Sequence, residues 1–138
     1  MHRILLSTFI IDAPSNVFES TTNFWAGALG AEVVRPRGGR DYRILNGASD
    51  DFRVVVQDVH SGQAGVHLDI HTDDLVAEVE RLKGLGATVI DDSFANHPGQ
   101  WVIMADPDGK EYCVVYALNP LRPQTDRDAF ERKAKSVN

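Results

Sequence analysis

One cysteine, Cys113, is all that the 138-residue chain contains. No internal disulfide can form, which excludes the stapled secreted class. Cations are short as well. Fourteen Lys and Arg stand against twenty Asp and Glu, a formal net charge of −6. A surface of that sign repels phosphate backbones, so nucleic acid is not an expected partner. Long apolar runs are missing. The stretch Ile4 to Ile11 falls far below the ~20 residues that cross a bilayer, so no membrane span is expected. Its basic start, Met1-His2-Arg3, mimics a signal peptide, but the run ends in Asp12-Ala13-Pro14 without a small-x-small cleavage site. It reads as a buried first strand, and the expected compartment is the cytoplasm.

What is present is ordinary for a folded domain. Hydrophobic residues make 43% and charged residues 25% of the chain, a balance that excludes disorder. The length suits one domain, or two small halves fused into one. Area scaling leaves roughly two-thirds of the unfolded surface buried, enough for a core without staples.

The chain repeats itself. Leu29-Gly30-Ala31-Glu32-Val33-Val34 reads almost like Leu85-Gly86-Ala87-Thr88-Val89-Ile90. Each hexamer follows a helical pattern and precedes strand-like segments. In the second copy, Val66 to Thr72 alternates, with Val66, Leu68 and Ile70 on one face and His67, Asp69 and His71 on the other. Thr72-Asp73-Asp74 offers an N-cap. Leu75, Val79, Leu82 and Leu85 then recur at helical spacing, which places Glu78, Arg81 and Lys83 outside. Strands follow at Ala87 to Asp91, Trp101 to Ala105 and Lys110 to Ala117, with the turn Asp106-Pro107-Asp108-Gly109 before the last. The first copy has the same order. Its strand is Arg3 to Ile11 and its helix Val17 to Leu29, with Phe18, Phe24, Trp25, Ala28 and Leu29 inward. Strands at Ala31 to Arg35, Tyr42 to Leu45 and Phe52 to Gln57 complete it.

The expected fold is therefore α+β: two βαβββ modules, about 1–58 and 66–117, within a domain of residues 1–117. Their curved mixed sheets are expected to enclose a cavity, the default ligand site. Residues 118–138 read as a polar C-terminal tail with a short helix from about Thr125 to Lys135. Only Ala129, Phe130 and Ala134 give it a contact stripe, so it is expected on the surface or on a partner.

This duplication resembles the vicinal oxygen chelate superfamily of glyoxalase I, bleomycin-resistance proteins and extradiol dioxygenases, and most of all its bacterial glyoxalase-like group. The resemblance rests on Phe24-Trp25-Ala26-Gly27-Ala28-Leu29-Gly30, on Val66-His67-Leu68-Asp69-Ile70, on Asp74 through Ala87, and on Met104 through Cys113. It implies a shared fold more strongly than a shared reaction, because the superfamily holds isomerases, lyases, dioxygenases and pure binders. Metal-dependent members carry one ligand on the first strand and one on the fourth strand of each half, usually His or Gln with Glu. Carried over, those positions fall near Thr8 and Gln57 in the first half and on His67 and Cys113 in the second. Only His67 matches. The resemblance thus implies an incomplete metal site, with no cofactor expected and a divalent metal as the alternative.

The residues themselves point the same way. His67 and Asp69 share a strand face, and a His beside a carboxylate can move a proton near neutral pH. The bland reading is a solvated face on which Asp69 fixes the His67 tautomer. His71 is expected to be ordinary surface. Cys113 and Glu111 have the same strand parity, so zinc would suit His67 and Cys113 if Glu111 or Asp69 joined. Lone among Val and Tyr, Cys113 otherwise reads as a small buried hydrophobe. Trp101 follows the loop His97-Pro98-Gly99-Gln100 and is the candidate for an aromatic cavity mouth, whereas Trp25 sits at core spacing. Arg35, Arg37, Arg40 and Arg43 read either as a guide for an anion or as a solvated hairpin tip.

Together these readings predict a glyoxalase-like protein that acts as a small-molecule binder or as a metal-independent enzyme, with His67 and Asp69 as catalytic residues. Gln57, Trp101, Glu111, Cys113 and Thr8 are its expected ligand contacts. The alternatives are a divalent-metal lyase, isomerase or dioxygenase anchored on His67, and a drug-sequestering resistance protein. The expected partners are a small organic molecule and a second copy of the chain in a homodimer.

Overall fold

The computed structural model describes residues 1–138. In chain order the elements are β1 (His2–Ala13), a 3-10 turn (Ser15–Val17), α1 (Phe18–Ala28), β2 (Glu32–Val34), β3 (Tyr42–Asn46), β4 (Arg53–Asp58), β5 (Gly65–Thr72), α2 (Leu75–Gly84), β6 (Thr88–Asp91), β7 (Trp101–Ala105), β8 (Glu111–Tyr116), α3 (Gln124–Lys133) and β9 (Lys135–Val137). The class is α+β with mixed parallel and antiparallel pairing. No helix is long and apolar enough to cross a membrane. The chain divides into two compact units, Thr8–Leu68 and Met1–Ser7 with Asp69–Asn138.

In Thr8–Leu68 the strand order is β2-β3-β4-β1. β4 pairs in parallel with β1 and antiparallel with β3. Helix α1 covers one face, where Phe18 and Ala26 pack with Ile11, Ala13, Leu45, Val54 and Val56. Its inward stripe is Phe18, Thr22 and Ala26, a narrower one than the sequence predicted. Phe24 is 64% exposed, Trp25 37% and Leu29 39%. Thr22 can lie inward because its hydroxyl donates to the Phe18 carbonyl at 2.8 Å and so carries no unmet polar group into the core.

In the other unit β5 pairs in parallel with β8, and β8, β7 and β6 continue antiparallel. Helix α2 starts at Asp74, whose side chain accepts the Ala77 N–H at 3.0 Å. Leu82 packs on Val102, Met104 and Val114, with Leu75, Val79 and Tyr112 around them. Leu85, expected inward, is 67% exposed.

The repeated Leu-Gly-Ala has a local cause. Gly30 and Gly86 both take positive φ, 61° and 107°. At each helix end the glycine N–H donates back three residues, to Gly27 and Lys83. The next alanine donates back five, to Ala26 and Leu82. These are matched Schellman stops, and glycine is the residue that reaches that φ without strain.

Two expectations are overturned in the second unit. Glu78 does not face water. It is 0% exposed, because it shares the inward stripe of Leu75 and Leu82. His2 Nε2 lies 2.6 Å from its Oε2, and Arg81 donates to both oxygens at 2.7 and 2.8 Å. The tail is no surface strap either. Phe130 of α3 is 0% exposed, and Arg3 lies over its ring at 5.2 Å. β9 then pairs antiparallel with His2, Arg3 and Ile4 of β1.

Burial pushes the Glu78 carboxyl up, but the hydrogen bonds from Arg81 and His2 outweigh it and hold the group below its ordinary value of 4.5. A depressed folded-state pKa gives stability that is complete above the ordinary value and lost as pH falls through the folded one. Glu78→Gln is therefore expected to cost about 3 kcal/mol at neutral pH, since it strands the Arg81 guanidinium and takes the carboxylate from His2. It should also flatten the acid side of the stability curve below pH 4.5. Urea unfolding of wild type and variant across pH measures both effects.

Candidate functional site

On the face of Thr8–Leu68 away from α1, Ile10 and Val55 form an apolar middle, 4% and 2% exposed, with Thr8 and Arg53 beyond them. The face turns polar at one end. Asp12 stands in register with Gln57, and Gln57 with Tyr42, so the three side chains share a face on strands about 4.8 Å apart. Gln57 Nε2 donates to the Tyr42 hydroxyl at 3.4 Å. At the other end of this row His67 Nδ1 lies 2.6 Å from Asp12 Oδ2, and each side chain is 17% exposed. The second oxygen, Asp12 Oδ1, is buried without a hydrogen-bond partner.

Sequence reasoning missed Asp12, because Asp12-Ala13-Pro14 read as the end of the strand. β1 runs through Ala13, and the alternation Thr8, Ile10, Asp12 was the signal that could have placed it. Of the expected contacts, Gln57 and His67 lie in or beside this row. Thr8 does not. It is buried four residues up the strand, opposite Arg53.

In the other unit Asp69 pairs with Cys113, Cys113 with Ile103, and Val115 with Trp101. That face is the one away from α2. Cys113 is partly exposed rather than a buried hydrophobe. Glu111 is exposed at the start of β8, in register with Ala105. His71, expected at the surface, is 3% exposed, since it sits inside the β5–β8 ladder opposite Val115. Trp101 is engaged by its own loop. Its ring stacks on Phe94 at 4.5 Å, and His97 meets it edge-on at 4.8 Å. A Cβ on Gly99 would come within 2.7 Å of the indole, so this packing needs glycine there.

The electrostatics are uneven. At the hairpin beside the row, Asp58 accepts the Ser15 hydroxyl at 2.6 Å and the His60 N–H at 2.8 Å. These bonds hold its carboxyl below the ordinary value. His60 Nε2 lies 3.5 Å from Asp41. Arg43 is 9% exposed. It donates to the carbonyls of Arg40 and Tyr42 and to Glu19, with its guanidinium 4.9 Å above the Phe18 ring. It is a pinned structural group, not part of an open anion guide.

The four-ligand set implied by the resemblance is not reproduced. Thr8 is buried beside Arg53's strand position, and Gln57 spends its amide on Tyr42. Donors of metal-ligating type are present nonetheless: His67, Asp69 and Cys113, and separately Asp41, Asp58 and His60.

Comparison with known proteins agrees with this architecture. A structure described as an NAD-dependent benzaldehyde dehydrogenase from Legionella pneumophila superposes with a TM-score of 0.61 at 8% identity, covering 79% of this chain and 96% of that one. Methylmalonyl-CoA epimerase from Streptomyces coelicolor gives 0.53 at 16% identity, covering 83% and 97%. A glyoxalase/bleomycin resistance protein/dioxygenase superfamily member from Vibrio splendidus gives 0.52 at 15%, covering 84% and 99%. At such identities the likeness is one of fold alone. No curated protein matches the chain. Residues 8–115, however, match the model of the glyoxalase-like domain, and the chain belongs to that family, within the vicinal oxygen chelate superfamily.

Proposed function

We propose that this protein binds a small organic molecule through a metal-independent form of the glyoxalase-like site, with His67 as the group that exchanges a proton with the ligand. The observation that carries this reading is the polar row of Tyr42, Gln57, Asp12 and His67 beside the apolar pair Ile10 and Val55 on one sheet face. Polar groups are not set on such a face without partners, and partly exposed ones offer a ligand both hydrogen bonds and an apolar floor. Asp69, two residues along β5 and on the same face, is the second acidic group of the reading.

A screen of small aromatic and carbonyl compounds by thermal shift tests it. His67→Ala should abolish ligand-induced stabilisation. Its apo melting temperature should stay within about 4 °C of wild type, the shift of roughly 1 kcal/mol in a domain this size. Outright unfolding, or wild-type binding of every hit, refutes the assignment.

The second reading is a divalent-metal lyase, isomerase or dioxygenase anchored on His67, favoured by the donor chemistry of Asp69 and Cys113. On the first reading, protein purified without chelators holds no stoichiometric Zn, Ni, Mn or Fe. Elemental analysis giving one ion per chain, lost in His67→Ala, would establish the second.

A homodimer is part of the proposal. Phe24 and Trp25, whose rings meet edge-on at 5.2 Å, leave exposed apolar surface on Thr8–Leu68, and exposed apolar surface is a candidate for association. Multi-angle light scattering at micromolar concentration should give twice the chain mass, and a monomer throughout would end the idea.

A further inference from the structure

We propose that Asp41, Asp58 and His60 form a second site, which binds a divalent transition-metal ion of the zinc class. The site lies wholly within Thr8–Leu68 and does not depend on the binding reading above. Asp58 follows Gln57 on β4 and stands in register with Ala13. Its side chain therefore leaves the sheet on the face opposite the polar row.

Three stretches of chain meet there. The Asp58 N–H donates to the Asp41 carbonyl at 2.8 Å, and the Ser15 N–H to the His60 carbonyl at 3.0 Å. These backbone bonds join the start of β3, the end of β4 and the turn after β1. The ligating atoms of Asp41, Asp58 and His60 come within 4.8 Å of one another.

The protons around the ring point to a cation. Ser15 gives its hydroxyl proton to Asp58 Oδ1 at 2.6 Å, so toward His60 Nδ1, 3.4 Å away, its oxygen can only accept. That sets the ring proton on Nδ1 and the lone pair on Nε2. Nε2 faces Asp41 Oδ2 at 3.5 Å, which is longer than a good hydrogen bond. Two acceptors facing each other at that distance call for a positive charge between them, either a second ring proton or a metal ion. Two ligands about 2.1 Å from one tetrahedral ion stand roughly 3.4 Å apart, which favours the ion. Asp58 Oδ1 also accepts the His60 N–H at 2.8 Å. The carboxylate is thereby oriented, with Oδ2 as its ligating atom, in the manner of hydrogen-bonded metal ligands. His60 is the ion-pair partner of both carboxylates, and neither meets a Lys or Arg.

One nitrogen and two carboxylates suit zinc and its neighbours, whereas calcium and magnesium take oxygen alone. The His60 and Asp41 side chains are 67% and 46% exposed, so the remaining coordination positions face water. Such an open ion exchanges with solvent and is lost on dialysis, so it adds nothing to the metal content of the purified chain.

Calorimetric titration of the chelator-stripped, tag-free chain with zinc chloride tests the site. It is done in His67→Ala, which separates the result from the donors beside His67 and from the binding reading. That variant is expected to take one zinc ion per chain, and His67→Ala with His60→Ala none. Adding Ser15→Ala instead should weaken binding roughly tenfold, the loss of one orienting partner. Nitrogen-15 spectra of the histidine rings locate the ion in the wild-type chain, where zinc should shift His60 Nε2. Absence of saturable zinc binding, zinc retained without His60, or a His60 ring that holds protons on both nitrogens in excess zinc overturns the proposal.

Discussion

In one unit Thr8 to Ala13 lie residue for residue against Arg53 to Asp58, and in the other Asp69 to Thr72 lie against Cys113 to Tyr116. Both ladders are parallel, and both decide which side chains share a face. A slip of one residue in the first would turn Ile11, Val54 and Val56 out from under α1 and carry Asp12 and Gln57 into the core. The hydrophobic cost forbids it. The polar row is thus held in place by the apolar side chains behind it, not by its own hydrogen bonds.

The buried charges show the contrast. Glu78 has three close donor contacts and Arg43 has carbonyl, carboxylate and aromatic neighbours. Each is a charge taken out of water, and Glu78 is compensated on both oxygens. Asp12 is compensated on one oxygen only. It shares that condition with the Nε atoms of Arg43 and Arg127, which are also buried without a hydrogen-bond partner.

Element order and type were legible because they rest on local chemistry: period-two alternation at Val66 to Thr72, the Asp74 cap and the glycine stops at Gly30 and Gly86. Side-chain environment was less so. A charged residue in a helical stripe reads as solvent-facing until its partners are known, and those of Glu78 include His2, seventy-six positions away. The stripe of α1 was misread because Phe24 and Trp25 look like core by composition, whereas burial went to Thr22 and Ala26. Of the site, His67 and Gln57 were within reach of pattern reasoning. Asp12 was hidden by the Pro14 that follows it, which suggested a strand already finished.

The short β9 has a bearing on how this chain behaves in company. The first residues of β1 run beside β5 on one side, and β9 occupies the other through His2, Arg3 and Ile4. Without it, those residues would present an open row of backbone donors and acceptors next to Leu5 and Leu6, a template for any passing strand. A polar strand of three residues, carrying Lys135 and Ser136, closes that template with side chains poorly suited to recruiting another. The end of the chain thus acts as a guard against self-templating, and its loss would show first as a change in solubility rather than in the shape of the site.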